Sequence, residues 1–473
     1  MPRKIKRGIS VVSGEKASFG TDAREWAEQQ FEQVDLGDAR LSRRAVEMGA
    51  QMAQLPGGSL PQQMKGRADL IGAYRLLDNN KVTHAALSEP HWQGTRQRSV
   101  AERVVLMVQD VTQLDYTHYA RTMAGLGPIG DGRGQGLLLH TTLAVVPHPR
   151  QVLGIAHQQV LKRMPVPAGK GRRSRPKAER ESRVWGEAVK AIGKPPAGTR
   201  WVVVSDSETD HTDFLLTCRE QGYDFNIRFG HTSRVILEGN VRRNLHSTVR
   251  TWQPVAAKTV HVRARGGRPA REARVLVSFG AATLRVPKRC EPLQVWIVRA
   301  WEIDAPPEVD PLEWILATSV AVETPADALE RIEWYTARWL DEEYHQCLKT
   351  GCAIEQRDLE DAARIERLLG ILAPVAVRLL QLREDTRLDP ETSATTVVEP
   401  IMVAILAAEL GVSADSMTAR AFWRGVAQLG GFIGRRRDGE PGWKSLWRGW
   451  LQLQIMAQGA RLAASLPGLL TCV

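Results

Sequence analysis

Cysteine and uninterrupted apolar sequence are both scarce in this chain. Its five cysteines (Cys218, Cys290, Cys347, Cys352 and Cys472) form no CxxC pair and no Cys/His spacing of a zinc site. An odd, scattered set in a chain of 473 residues excludes a disulfide framework and reads as reduced thiols in a cytosolic protein. The most apolar stretch, 368–382, is interrupted by Pro374 and Arg378 and is too short to span a bilayer. The leading MPRKIKRGISVVSG is basic and lacks the apolar core of a signal peptide, so a soluble intracellular protein is expected. Acidic residues are also in deficit: 53 Asp+Glu face 64 Lys+Arg, giving a net charge of +11 and a pI near 9.6. That balance favours a polyanionic partner, nucleic acid before an anionic membrane, over a protein that is merely basic and soluble.

The first hundred residues carry helical periodicity, with Asp38 as a candidate N-cap and PGG at 56–58 as a stop. Arg40, Arg43, Arg44, Lys65, Arg67, Arg75, Arg96 and Arg98 punctuate them. Such a module is either a DNA-binding unit or an ordinary helical layer with a solvated face. At Arg103 the pattern changes. RVVLMVQD reads as a buried strand ending in Asp110, and WVVVSDSETD as a second one ending in Asp206. Between them LLLHTTLAVV and QVLGIAHQQV read as antiparallel strands, followed by a Pro-, Gly- and Arg-rich loop over 165–183 that is placed to touch phosphate. From 223 to about 300 the chain alternates apolar with Arg or polar residues, the pattern of an inserted antiparallel sheet with a basic face. LEWILATS is a further strand, and 361–384 a helix kinked at Pro374. The C-terminal helices hold Trp423, Trp443, Trp447 and Trp450, as core or as a subunit interface. The resulting division is a helical module at 1–100, an α/β domain at 101–384 and a helical domain at 385–473.

Between 332 and 356, Tyr335, Arg338, Glu342 and Lys349 fall at spacings that bring them within roughly 60° of one another around a single helix. A carboxylate there can hold a divalent metal, and the phenol and two cations suit phosphates. By itself the face reads first as an array of solvated ion pairs. Each acid has an ordinary role open to it as well, since an Asp at a strand end often caps a turn. Together they form a sharper pattern. Adjacent strands can bring Asp110 and Asp206 together, and a helix packed on that sheet can add Glu342. Three acids so close repel unless cations neutralise them. A pair of divalent ions is the natural solution, Mg²⁺ by its preference for oxygen, and such a pair supports phosphodiester chemistry.

On these residues the chain resembles the IS-four family of bacterial DDE transposases. The resemblance runs nearly end to end, through LGDARLSRR, IGAYRLL, VQDVTQLDY, SDSETDHTDFL, PLEWILATS, the Y-x-x-R-x-x-x-E-x-x-x-x-x-x-K helix, APVAVRLLQLRE and QLGGFIGRRRDGEPGWKSLWRGW. It implies an RNase H-like catalytic core with the inserted sheet, flanked by helical DNA-end-binding and dimerisation domains. It implies Asp110, Asp206 and Glu342 as the catalytic, metal-binding triad for Mg²⁺, with Mn²⁺ able to substitute. Tyr335, Arg338 and Lys349 then hold DNA phosphates, and Trp314 stacks on a flipped base unless it is a core residue. Arg228 matches another DNA contact, and Arg40, Arg44 and Arg75 match basic residues of the end-binding domain. Double-stranded transposon ends and target DNA are the implied partners, within a synaptic homodimer associated with the nucleoid. The implied reaction is nicking, hairpin formation and opening, and strand transfer. A structure-selective nuclease on the same core, or a silent DNA-binding inhibitor of transposition, are the rivals. The sequence departs from the family at Ser207 and Thr117, where Arg is common.

Overall fold

A computed structural model describes residues 23–164, 181–239, 241–262, 270–286, 290–435 and 440–466. Most of the basic stretch expected at 165–183, and part of the GRRRDGEPG turn, lie outside the described residues.

Five helices open the described chain: α1 (Ala23–Phe31), α2 (Ala39–Gln54), α3 (Leu60–Gln63), α4 (Arg67–Asp78) and α5 (His84–Ser99). Asp38 caps α2 as its sequence position predicts, its side chain accepting from the Arg40 N–H. The chain then enters β1 (Val104–Asp115), β2 (Gly127–Ile129), β3 (Gly134–Val146) and β4 (Gln151–Leu161), followed by α6 (Val184–Ile192), β5 (Arg200–Ser205), α7 (Thr212–Gln221) and β6 (Asp224–Arg228). Strands β7 (Val235–Glu238) and β8 (Val241–Asn244), the short α8 (Leu245–Val249), β9 (Ala256–Val262), β10 (Arg271–Leu284), β11 (Leu293–Glu302) and β12 (Glu313–Thr318) complete the β region. Helices α9 (Pro325–Thr336), α10 (Trp339–Gln346), α11 (Ala362–Leu388), α12 (Ala394–Val397), α13 (Pro400–Leu410), α14 (Ala419–Leu429) and α15 (Trp443–Ser465) follow.

Val105, Leu106, Met107 and Val108 on β1 are all fully buried, so both faces of the sheet must be covered. They are. Leu106 and Val108, with Val202 and Val204 of β5, join one core with Leu87, Leu340, Tyr344, Leu368 and Leu372 from α5, α10 and α11. Val105, Met107, Trp201 and Val203 join a second core with Trp185, Val189, Phe214 and Leu215 from α6 and α7. The centre of the sheet is parallel, β1 beside β5 beside β6, with antiparallel β3 and β12 on its flanks.

The strands expected to form an inserted sheet differ from that expectation in two ways. β6 is a parallel strand of the central sheet. The remainder, β7 to β11, extends the same sheet through the β11–β12 pairing, so one 12-stranded mixed sheet runs in the order β2-β3-β1-β5-β6-β12-β11-β10-β7-β8, with β4 paired to β3 and β9 to β10 off that path. The joint between the two parts is the antiparallel β6–β12 pairing, Arg228 with Leu316 through Asn226 with Thr318, which is non-local and leaves no local signal in the sequence.

Helix α11 is continuous through Pro374 and buried along most of its length. It docks the N-terminal helices: Arg367 donates to the carbonyls of Leu77 and Val82, and the Arg378 guanidinium lies 5.0 Å from the centre of the Trp26 ring. Arg357, in the loop before α11, donates to the carbonyls of Pro56, Gly58 and Cys352 and so fastens the PGG turn. Trp447 and Trp450 are buried, and Trp423 stacks on Trp450 at 5.2 Å while Trp443 stacks on Trp447 at 5.3 Å. These tryptophans are core of the C-terminal helices.

Candidate active site

The pairing of β1 with β5 has constant register, Val104 with Arg200 through Val108 with Val204. Two residues further along each strand, this register sets Asp110 beside Asp206. Side chains alternate along a strand, so Asp110 shares its face with Leu106 and Val108, and Asp206 with Val202 and Val204. The same alternation puts Arg228 of β6 and Trp314 of β12 on that face, and α9 and α10 cross over it. Asn226 on β6 anchors α9 there by donating to the Arg331 carbonyl at 2.8 Å.

The Y-R-E-K residues do not lie on one uninterrupted α-helix. Tyr335 ends α9, Arg338 precedes α10, Glu342 is in the first turn of α10, and Lys349 sits in a wider π-type turn at 347–351. The break brings three of the four to the carboxylates. Arg338 bridges two acids, with Nη2 2.7 Å from Glu342 Oε1 and Nη1 3.5 Å from Asp110 Oδ2. Burial pulls the Arg338 pKa down, but Tyr335, Glu342 and Asp110 outweigh it and hold the guanidinium firmly protonated. Burial pushes the Asp110 carboxyl up to about 7; Arg338 and the Val111 N–H oppose this, while Asp206 and Glu342 add to it. Asp110 therefore feels the charge of both other carboxylates. Asp206 caps a short turn, accepting from the Glu208 N–H at 2.8 Å. Glu342 retains 42% of its side-chain exposure, which leaves the cluster open to solvent on that side.

The remaining expected contacts divide. Tyr335 is buried, which raises its pKa, and its hydroxyl is beside Arg228 and Arg338. Lys349 is set apart from the acids: it donates to the Gln113 carbonyl and pairs with Glu355 at 3.2 Å. Trp314 is 4% exposed and packs edge-on against Tyr335 at 5.1 Å and Trp339 at 6.3 Å, as a core tryptophan. In this arrangement its ring offers no free face for a base. Arg40 and Arg75 are exposed, whereas Arg44 is half-buried and joins α2 to α4 through Asp69 at 2.8 Å. Thr117 closes a local turn on Asp115, and Ser207 packs against Gly230.

Two residues beside the triad escape a reading of the sequence alone. Asp341 is fully buried, neither of its oxygens has a hydrogen-bond partner, and His345 Nε2 is buried without one as well. Burial drives the Asp341 carboxyl well above the usual range; Asp110 and Glu342 add to this and Arg338 opposes it. Burial, with Lys349 nearby, pushes the His345 imidazole down to about 3 and keeps it neutral. Their signal in the sequence is Asp-x-x-x-His, one helical turn apart.

Comparison with known families adds to this geometry. Residues 23–82 match the transposase DNA-binding family, and residues 374–468 match the transposase Tn5 dimerisation domain. A DNA-binding domain and a Tn5-type dimerisation domain on one chain are the equipment of a DNA transposase, and that is the function they support. Among solved structures, the chain is similar to a piggyBac transposase in a synaptic complex with hairpin DNA, at 10% identity and a TM-score of 0.36, over 96% of this chain and 84% of that one. Among the described residues no helix is long and apolar enough to cross a membrane.

Proposed function

We propose that the protein is a DDE transposase of the IS-four type. On this reading 1–100 binds transposon ends, 101–384 is an RNase H-like catalytic domain, and 385–473 dimerises. What supports the reading is the strand register that sets Asp110 beside Asp206, together with Arg338, which links Asp110 to Glu342. Three oxygen-donor side chains suit Mg²⁺, and Mn²⁺ by the same donors. Asp110, Asp206 and Glu342 would hold it; when bound, such an ion supplies Lewis-acid polarisation of a phosphate and acidifies water or a 3′-hydroxyl. The chain's own part is positioning. Arg338 is rigidly placed and fully charged beside the acids, so a phosphate entering past Glu342 meets a guanidinium fork suited to it. Arg228 on β6 adds a second cation to that lining, and the neutral Tyr335 hydroxyl beside both arginines adds a hydrogen-bonding group. Lys349 and the exposed Arg40 and Arg75 are further candidate backbone contacts. Nicking, hairpin formation and opening, and strand transfer then use one site with successive nucleophiles.

Dimer formation has its own support. Leu451, Ile455, Leu462 and Leu466 are exposed at 38%, 56%, 62% and 43%. On α15 and its last turn they fall within roughly 60° of one another, an apolar stripe suited to a second copy of the chain.

The test first looks for short inverted repeats in the DNA flanking the gene, then supplies DNA carrying them, a target plasmid and Mg²⁺. Wild type is expected to cleave the ends and join them to the plasmid. Glu342→Gln is expected to bind the ends and cleave them slower by on the order of 10²-fold or more. Undiminished cleavage by Glu342→Gln overturns the triad; cleavage without joining makes the protein a nuclease.

A further inference from the structure

Behind the triad, away from the open side at Glu342, lies a second group of donors. One ligand atom each from Asp110, Asp341 and His345 lie within 4.8 Å of one another. Asp341 and His345 are one turn apart on α10, so both project toward β1 and Asp110. The Asp341 side chain is wholly buried, and its closest ionic partner is His345 Nε2 at 3.8 Å, beyond hydrogen-bonding reach. A buried carboxylate with no hydrogen bond, facing an imidazole nitrogen with none, leaves strong donor atoms unsatisfied in a low-dielectric interior. Either a cation joins them or a proton stays on Asp341.

We infer that Asp110, Asp341 and His345 form an inner cation site, distinct from the triad and sharing only Asp110 with it, that takes a borderline divalent transition ion such as Zn²⁺ or Mn²⁺. The imidazole nitrogen selects such an ion over Mg²⁺, which prefers all-oxygen sites. Donor atoms on one ion of this class lie up to about 4.4 Å apart, twice a bond of about 2.2 Å. Three donors on a tetrahedral ion of this class lie about 3.4 Å apart, so side-chain movements of about an ångström close the site. Lys349 and Arg338 are the nearby cations, and Arg338 already spans Asp110 and Glu342. Neither makes a hydrogen bond to Asp341. An ion here fixes the inner edge of Asp110, the ligand both sites share. The site requires Asp110 as a carboxylate and does not require that the protein cut DNA.

Metal binding to the full-length protein without DNA tests the site. Equilibrium dialysis against Zn²⁺, and against Mg²⁺ in parallel, is run on wild type, His345→Gln, Asp341→Asn and Glu342→Gln. Wild type and Glu342→Gln are expected to hold one Zn²⁺ at least tenfold more tightly than His345→Gln and Asp341→Asn do, and His345→Gln is expected to leave Mg²⁺ binding unchanged. Co²⁺ in place of Zn²⁺ should give a visible spectrum that changes in His345→Gln. Equal Zn²⁺ affinity in wild type and His345→Gln overturns the inference, as does loss of tight Zn²⁺ in Glu342→Gln with retention in His345→Gln. If Asp341→Asn fails to fold, His345→Gln still decides. Failure here leaves the triad untouched, because the triad is judged on Glu342→Gln and DNA cleavage.

Discussion

Arg338 stands within 3.5 Å of Asp110 and 2.7 Å of Glu342 and is only 13% exposed. It offsets a carboxylate cluster that would otherwise repel itself. Arg338→Gln should therefore lower stability by about 1–3 kcal/mol without divalent ions, and millimolar Mg²⁺ should restore most of that. A thermal melt with and without Mg²⁺ reads the difference; a loss that Mg²⁺ leaves unchanged would assign Arg338 to packing alone. At this scale the sequence is partly legible. Asp110 and Asp206 each end a dense apolar run, so strand-end carboxylates can be picked out. Their meeting depends on the register between two strands separated by nearly a hundred residues, which no local pattern contains. Glu342 and Arg338 can be paired from helical spacing. The burial of Trp314 cannot be read, because an apolar strand residue looks the same whether its ring faces a core or a ligand. Asp341 is hidden because an acid beside an acid on a helix reads as surface.

Among the elements, the docking of the N-terminal helices is governed by arginines that satisfy backbone carbonyls. Arg367 caps the end of α4 through the Leu77 carbonyl and also holds Val82, and Arg357 gathers Pro56, Gly58 and Cys352. Their replacement by methionine keeps bulk and removes the donors, stranding buried carbonyls. We expect Arg357→Met to cost about 2–4 kcal/mol, read as a shifted urea midpoint; a midpoint within error of wild type would refute it. Another seam joins α5 to β4. The Ile155 N–H donates to His91 Nε2 at 3.1 Å, so Nδ1 carries the proton and donates to Gln30 Oε1 at 2.7 Å. Gly154 has φ of +145°, and a Cβ there would meet Thr95 Oγ1 at 2.4 Å, so a larger residue would force this seam apart. Strands and helices themselves follow from apolar periodicity. The continuity of the sheet does not, nor does the break after α9, since both are decided by tertiary packing.

For the whole molecule, burial of imidazoles sets the acid limit. It depresses His84 to about 4 and His91 and His140 to about 3. The unfolded chain binds protons on these groups below about pH 6.5, while the folded protein does not until about pH 3 to 4. Their contribution is therefore complete above about pH 6.5 and is lost as pH falls toward about 4, amounting to several kcal/mol by about pH 5. The urea midpoint should drop between about pH 7.5 and pH 5, and His91→Gln should flatten that slope by about one proton; an unchanged slope would contradict the assignment. On the proposed reading, association is set by the α15 stripe. Ile455→Glu with Leu462→Glu should shift the protein to monomer in sedimentation at micromolar concentration, and a persistent dimer would move the interface elsewhere.

The path of α11 limits how the C-terminal module of such a chain can be exchanged. The dimerisation-domain match begins at residue 374, midway along Ala362–Leu388, and Arg378 within it lies over Trp26 of the DNA-binding match. The start of that match thus falls inside one buried helix, and the two matched regions touch each other. A recombinant that exchanged its C-terminal module with a relative at that boundary would receive half of a helix fitted to another partner.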